Sequence, residues 1–312
     1  MRGENRTPAK DSKAGADEPI TLEVLGRRFM KALGAKGAPD ALQTAFLRQA
    51  FEDYEADETP EVGPDDLACV LAAFWLLGDK RKTGDAPLID IAPMLDCNGE
   101  AIGYDAIQVI QDDAPFLVDS VMGDLAAAGV SVRAMFHPLI QAGRDKAGAR
   151  TAAETRESMI LVLVDTLPPE RRTAVAASLG ETLADVRAAV TDHGRMAALM
   201  RRCLDDLDSH SPAMDAEALD ENIAFLKWLN NDHFVFLGAR EYEFPRTKDG
   251  AYEAEAPLSQ SGEGLGVLRD PERRVLRRAS EPAVLTKQMK RQLNLGEPVS
   301  VAKANLRSRV HR

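Results

Sequence analysis

Apolar residues recur at helical spacing through the first quarter of the chain. Leu22, Leu25, Phe29 and Leu33 share one helical face that ends at Gly34, and Leu42, Phe46, Ala50 and Tyr54 share another. Leu67, Val70, Leu71, Phe74 and Leu77 mark a third helix running from Pro64 to a glycine stop at Gly78. Residues 20–85 therefore predict a helical segment, with a disordered polar tail over 1–19 and a charged, Gly/Pro-containing connector from Lys80 to Pro87.

Beyond the connector the period changes from helical to extended. Leu88, Ile89 and Ile91 predict a short strand, and Ile107, Val109 and Ile110 a second. A helix follows from Pro115 to Ala128, with Leu117, Val121 and Leu125 stacked at i, i+4 and Gly129 closing it. Val132, Ala134 and Phe136 alternate with Arg133, Met135 and His137, as a strand with one buried face does. Met159–Val164 is continuously apolar and predicts a central strand covered on both faces. Val175, Leu179, Leu183, Val186 and Val190 mark another helix. The order strand, strand, helix, strand, strand, helix predicts an α+β fold over 86–192: a ferredoxin-like split βαβ arrangement with helices on one side of a four-stranded sheet.

Two more helices, around Met196–Leu207 and Leu219–Leu229, predict a helical linker over 193–230. A second β-containing module is expected over 231–312. Phe234, Phe236, Tyr242 and Phe244 predict a long strand bent at Gly238, and short strands are expected at Gly266–Leu268, Val284–Leu285 and Ser300–Ala302. The polar, basic run after Val301 predicts a module left incomplete at Arg312.

Charge and cysteine content narrow the function classes. The net charge of −11 disfavours bulk attraction to nucleic acid or anionic lipid. It is unevenly spread: residues 271–312 hold 11 Lys+Arg against 3 Glu and no Asp, net +8, leaving −19 on the first 270. No aromatic residue interleaves those basic residues, so the expectation is an acid–base contact within one larger molecule rather than a nucleic-acid tail. Cys69, Cys97 and Cys203 are odd in number and lack CxxC spacing, which signals neither a disulfide framework nor a zinc site and predicts buried or incidental thiols. No apolar run approaches the roughly 18 residues of a membrane span, and no apolar signal core precedes residue 20, so a cytoplasmic protein without membrane contact is expected.

Four stretches carry a resemblance. Asp113-Ala-Pro-Phe-Leu-Val-Asp-Ser-Val121, followed by Ala128-Gly-Val-Ser-Val132 and His137-Pro138, resembles the first ACT-like domain of the large bacterial NAD-specific glutamate dehydrogenases. Phe225-Leu-Lys-Trp-Leu-Asn-Asn-Asp-His-Phe-Val-Phe-Leu-Gly-Ala-Arg-Glu-Tyr242 is similar to a characteristic strand entry of that family. Gly264–Arg269 and Val301–Arg312 are lesser matches in the same order. The resemblance implies cytoplasmic, homo-oligomeric enzymes that deaminate L-glutamate oxidatively to 2-oxoglutarate with NAD. In them a long amino-terminal region of ACT-like modules precedes the dehydrogenase core. It makes the module over 231–312 a second ACT-like one, the remainder of the parent chain a partner, and NAD the parent's cofactor. The reading that follows is a regulatory and oligomerisation region, not catalytic in isolation; the alternative is a free-standing amino-acid-sensing protein.

A hydride-transferring enzyme needs a glycine-rich turn from a strand into a helix amino terminus, where backbone N–H groups hold the pyrophosphate. Gly262-Glu-Gly-Leu-Gly266 lacks the GxGxxG spacing and predicts a plain loop. No catalytic, cofactor-binding or metal-ligating set is assigned.

In ACT domains that bind amino acids, a D-x-P-G-L turn opens the first helix, and its glycine lets an effector's carboxylate approach the exposed N–H groups. The resemblance matches Asp113, Pro115, Phe116 and Leu117 to that turn, with Phe116 in place of the glycine. A benzyl group there fills the effector's space or alters the turn, so structural packing is expected ahead of amino-acid binding. Asp113 stands as a helix cap or a ligand contact. Asp119 and Ser120 are candidates to face a partner module or a ligand, but favourable placement near the helix start explains Asp119 without any function, and that reading is preferred. His137, His233 and His311 are read as strand-end hydrogen-bonding groups, with Asp232 on the face opposite His233. Phe225 and Trp228, at helical spacing with Leu219 and Leu229, predict core or interface packing.

Overall fold

The computed structural model describes residues 21–54, 62–79, 81, 86–146, 148–209, 215–243 and 259–270. The expected tail over 1–19, Phe244, the strands at Val284–Leu285 and Ser300–Ala302, His311, and the basic stretch from residue 271 lie outside the described residues. The chain divides into two compact units: Met1–Asp113 with Val130–Ala176, and Ala114–Gly129 with Ala177–Arg312.

In the first unit, helices α1 (Leu22–Ala32), α2 (Ala41–Glu52) and α3 (Pro64–Gly78) start at recognisable signals. Thr21 caps α1 by accepting the Val24 N–H, Asp40 and Gln43 form a reciprocal capping box on α2, and Pro64 occupies the first turn of α3. Helices this short cannot bury their apolar faces on one another alone. Phe29, Phe46, Phe74 and Trp75 continue into one core with Met94, Ile110, Phe136, Ile140, Met159, Leu161 and Leu163 of the sheet. The helical segment and the sheet thus share a core across the connector near residue 85.

The sheet holds β1 (Leu88–Leu95), β2 (Ala101–Asp112), β3 (Val132–Phe136), β4 (Leu139–Arg144) and β5 (Arg150–Asp165). Its order is β1-β2-β5-β3, with β4 also on β5 and every pairing antiparallel. Strands β2 and β3 flank β5 and so run parallel to each other, which is the predicted split βαβ topology. Alternate residues of β5 serve opposite faces: Met159, Leu161 and Leu163 join the helical core, while Ile160, Val162 and Val164 are also fully buried.

The sheet has five strands, not the four expected. Strand β4 has few large apolar residues and carries Gly143 and Arg144, so it has no alternating signature, and its partner is the polar first half of β5.

In the second unit, α4 (Leu117–Ala127) buries Leu117, Val121 and Leu125. Helix α5 runs unbroken over Pro169–Ser209, where two helices were expected, because Gly194 alone does not stop a helix whose neighbours favour it. Its residues from Ala177 onward belong to this unit. Helix α6 (Ala216–Trp228) passes into a π-turn, Leu229–His233, in which Asp232 is left-handed at φ 57°. Asp232 and His233 therefore sit in a turn and not on a strand. Strands β6 (Gly238–Glu243) and β7 (Ser259–Gly266) pair antiparallel, with an irregularity between Ala239 and Glu241.

Gly262–Gly266, expected as a loop, is the end of β7, and Val267–Leu268, expected as strand, follows it in a turn. Its glycines are used for close backbone approach: a Cβ on Gly264 would collide with the Leu268 carbonyl, and Gly266 is at φ 58°.

Candidate functional site

Asp113 is the last residue of the first unit's first stretch, and Pro115–Ser120 belong to the second unit. Asp113 is not a helix cap. Its N–H donates to the Arg156 carbonyl at 2.9 Å, and its Oδ2 meets Arg156 Nη2 at 2.7 Å. The N-cap position of α4 is Phe116, with φ 69° and ψ 8°, and no side chain caps the helix there. The left-handed backbone that a glycine would supply is thus kept by an aromatic residue, for which such a φ is strained. Phe116 is half-buried and its carbonyl accepts the Ser120 N–H at 3.0 Å. Pro115 and Asp119 are exposed, and Ser120 is buried.

Near Asp113, in the first unit, the His137 N–H donates to Asp53 Oδ2 at 2.7 Å, and Nε2 lies 2.8 Å from Ser158 Oγ. Burial pushes the imidazole below its ordinary pKa against the opposing pull of the Asp113 and Asp53 carboxylates. A serine and a histidine in hydrogen-bond contact invite a nucleophile reading. Ser158 is fully buried, however, so no carbonyl substrate reaches its Oγ, and the pair is an interior hydrogen bond. His233 Nδ1 lies 2.9 Å from the Trp228 carbonyl in the second unit.

Three charged clusters lay beyond sequence reasoning. On the first unit, Glu157 is buried among three arginines: Arg81 Nη1 at 2.8 Å, Arg144 Nη2 at 2.6 Å and Arg150 Nε at 3.4 Å. Asp112 and Asp79 engage Arg81 and Arg150 from the surface at 2.5 and 2.7 Å, which completes the charge balance. Arg150 also lies 4.0 Å over the Trp75 ring. Gly78 leaves room for this, since a Cβ there would occupy the position of Arg150 Nη2. Asp105, fully buried on β2, accepts from Arg172 Nε at 2.7 Å, Arg172 Nη2 at 2.9 Å and the Leu167 N–H at 2.9 Å. On the second unit, Asp192 of α5 accepts from Arg269 and from the Gly266 N–H. The detectable signal was a charged residue inside an apolar stretch, as at Asp105; nothing in the spacing names the partners.

Cys69 and Cys97, expected as incidental thiols, form a disulfide between α3 and the β1–β2 turn, with Cα atoms 5.5 Å apart. Cys203 is free and exposed. Their 28-residue separation carries no sequence signature.

Phe225 and Trp228 are not core residues. They are 50% and 43% exposed, and with Phe234 and Val235, at 51% and 36%, they form an aromatic surface on the second unit. Phe225, His233 and Phe234 contact the Trp228 ring with centroids at 6.0, 4.7 and 5.5 Å. An open cavity of about 430 Å³ adjoins it, lined by Leu204, Lys227, Trp228, Asn230 and Asn231. Among the described residues no cluster of three or more His, Cys, Asp or Glu could hold a metal ion, and no helix is long and apolar enough to cross a membrane.

A family model described as glutamate dehydrogenase, ACT1 domain, matches residues 46–179. An NAD-specific glutamate dehydrogenase of Halomonas elongata is 34% identical over 191 residues, which is 57% of this chain and 12% of the relative. Another of that name, from Pseudomonas aeruginosa, is 30% identical over 231 residues, 70% of this chain and 14% of the relative. The chain thus matches about a seventh or less of the length of these relatives.

Proposed function

We propose, from the premise that residues 46–179 belong to the glutamate dehydrogenase ACT1 domain family, that this chain is the regulatory and assembly portion of a large NAD-dependent glutamate dehydrogenase. The parent reaction would be L-glutamate, NAD and water to 2-oxoglutarate, ammonium and NADH. In this reading the parent works in the cytoplasm as a homo-oligomer, NAD binds in the remainder of the parent chain, and this portion neither holds the dinucleotide nor turns over glutamate.

The observation that carries the reading is the family match laid over a split βαβ sheet whose effector-type turn is retained in backbone and altered in side chain. Phe116 keeps the left-handed backbone and carries a benzyl group at the position where the effector-binding turn of the resemblance has a glycine. That favours bracing over effector capture at this turn. Regulation then takes the form of a coupling free energy between this portion and the distant core, typically ~1–3 kcal/mol.

The test is direct. The purified chain, mixed with L-glutamate and NAD, should produce no NADH, and its mass in solution should exceed that of one chain. NADH production would overturn the reading. Saturable calorimetric binding of glutamate, aspartate or arginine by a chain that stays monomeric would instead support a free-standing amino-acid sensor.

A further inference from the structure

The Cys69–Cys97 disulfide is a reactive group whose two ends differ in access. Cys97 is exposed at the β1–β2 turn, whereas Cys69 is half-buried on α3 between Ala68 and Val70, both of them buried. A thiolate that meets this bond from solution therefore reaches Cys97 Sγ first.

Breaking the bond leaves the fold around it in place. Asp96 shapes the turn by itself: its Oδ1 accepts the Asn98 and Glu100 N–H groups, each at 2.8 Å, and its own N–H donates to the Glu100 carbonyl at 2.8 Å. Met94, three residues before Cys97, and Leu67, Val70 and Leu71 around Cys69 all belong to the core shared by the helices and the sheet. The two sulfurs thus stay near each other once parted, and a freed Cys69 thiolate is placed to attack back.

Charge decides which thiols arrive. Cys97 Sγ lies 3.3 Å from the Asp65 carbonyl oxygen, at the first turn of α3. Asp65 and Asp66 both occupy that turn, and Asp96 precedes Cys97 in the chain. The three carboxylates are close enough to feel one another: burial first, then the charges of Asp96 and Asp65, push the Asp66 carboxyl above its ordinary range. Arg28 Nε, 3.4 Å from Asp65 Oδ1, offsets one of the three. A negative field at an exposed sulfur slows anionic thiolates and spares those that carry their own cation.

We infer that Cys97 is a thiol-exchange site, selective for thiols bearing a cationic or uncharged group over thiols bearing a carboxylate. The incoming thiolate forms a bond to Cys97 Sγ, the bond to Cys69 breaks, and its electron pair stays on Cys69 Sγ, which takes a proton from water. The thiol sulfur is oxidised and the Cys69 sulfur reduced, so no other oxidant or reductant enters. A monothiol caps Cys97 until Cys69 displaces it. A dithiol carries the exchange on to two free cysteines and leaves as its own disulfide. The covalent tie between α3 and the β1–β2 turn thereby follows the thiols around it, whichever enzyme the portion belongs to.

The experiment uses the whole chain carrying Cys203→Ser, with its folding checked by circular dichroism. Cysteamine, 2-mercaptoethanol and 3-mercaptopropionate open the disulfide at equal thiolate concentration, and maleimide then traps the products for mass spectrometry. Each rate is divided by that thiol's rate on a small uncharged disulfide, which removes intrinsic nucleophilicity. Cysteamine should react at least ~10-fold faster than 3-mercaptopropionate at low salt, a ratio that added salt and Asp66→Asn both shrink. The trapped intermediate should carry the thiol on Cys97 and maleimide on Cys69. Equal corrected rates for the three thiols overturn the inference, as does the thiol mapped to Cys69. So does opening that tracks the rate of global unfolding in urea, which would make the bond a purely structural one.

Discussion

Arg269 closes on Asp192 with both branches of its guanidinium, Nε to Oδ2 at 2.7 Å and Nη2 to Oδ1 at 2.9 Å, while the Gly266 N–H donates to the same Oδ2 at 2.7 Å. One buried carboxylate on α5 thus holds the turn after β7 by three hydrogen bonds.

Asp192→Ala should cost about 1–3 kcal/mol, since it leaves a buried N–H unpaired and removes charge-assisted bonds. The loss should appear as faster amide exchange at Gly266 and Val267. The hydrogen bonds from Arg269 are the main cause that holds the Asp192 carboxyl well below the usual carboxylate range, opposed by burial. Its contribution is therefore fully present above the unfolded value of roughly 3.9 and fades as pH falls further. The gap in urea midpoint between the unaltered chain and Asp192→Asn should shrink below about pH 4.

His137 gives the opposite end of the acid range. Its folded pKa lies below the ordinary value of about 6.5, so the unfolded chain takes up a proton first as pH falls. The stability this residue contributes is complete above about pH 6.5 and is lost progressively below it. An NMR titration of the His137 ring should show a midpoint under ~6.5, and His137→Gln should flatten the stability profile between about pH 5 and 7.

Glu157→Gln should be among the most damaging single changes in the first unit. It leaves the buried Arg81, Arg144 and Arg150 without their shared counter-charge, at a cost of about 3–5 kcal/mol. Gly78→Ala should reproduce part of this by displacing Arg150 from Trp75. Urea unfolding followed by tryptophan fluorescence measures both.

At the α4 entrance, Phe116→Gly should leave stability within about 1 kcal/mol of the unaltered chain despite the lost benzyl group, because glycine relieves the left-handed backbone. Phe116→Ile, branched at Cβ, should cost about 1–2 kcal/mol more. Thermal melts of the two variants decide it.

Reduction of Cys69–Cys97 should lower stability by about 2–4 kcal/mol, the usual effect of opening a loop of a few tens of residues. Paired melts with and without reductant test this, and Cys69→Ser should abolish the difference.

These predictions divide along what the sequence made visible. Helices α1, α3 and α4 were legible because their apolar residues repeat at three and four positions, and the central part of β5 because six consecutive apolar residues have to be covered on both faces. Strand β4 was hidden because it buries only Ile140 and Ala142 and is held by hydrogen bonds to β5 and to the Gln49 side chain, not by an apolar pattern. The continuity of α5 past Val190 was hidden for a related reason: a lone glycine weakens a helix without ending it. At the candidate site the sequence located the turn but not its geometry. Nothing in Asp-Ala-Pro-Phe announces that the phenylalanine rather than the aspartate stands at the N-cap, because Asp113 is drawn away by Arg156, a partner 43 positions further along the chain. The Glu157 and Asp192 clusters were invisible throughout, since opposite charges that meet across a fold leave no periodic trace.

The position of β5 has a consequence for how this chain is made. It is the last strand of its sheet to leave the ribosome, yet β2, β3 and β4 all bond to it. Until Asp165 has been synthesised, the β1–β2 hairpin lacks its β5 partner, and Ile107 and Val109, which are not part of the core shared with α1–α3, wait uncovered. Elongation past that point, rather than any local hairpin, sets the moment at which the domain closes, and a nascent chain stalled before Met159 would need a chaperone's shelter.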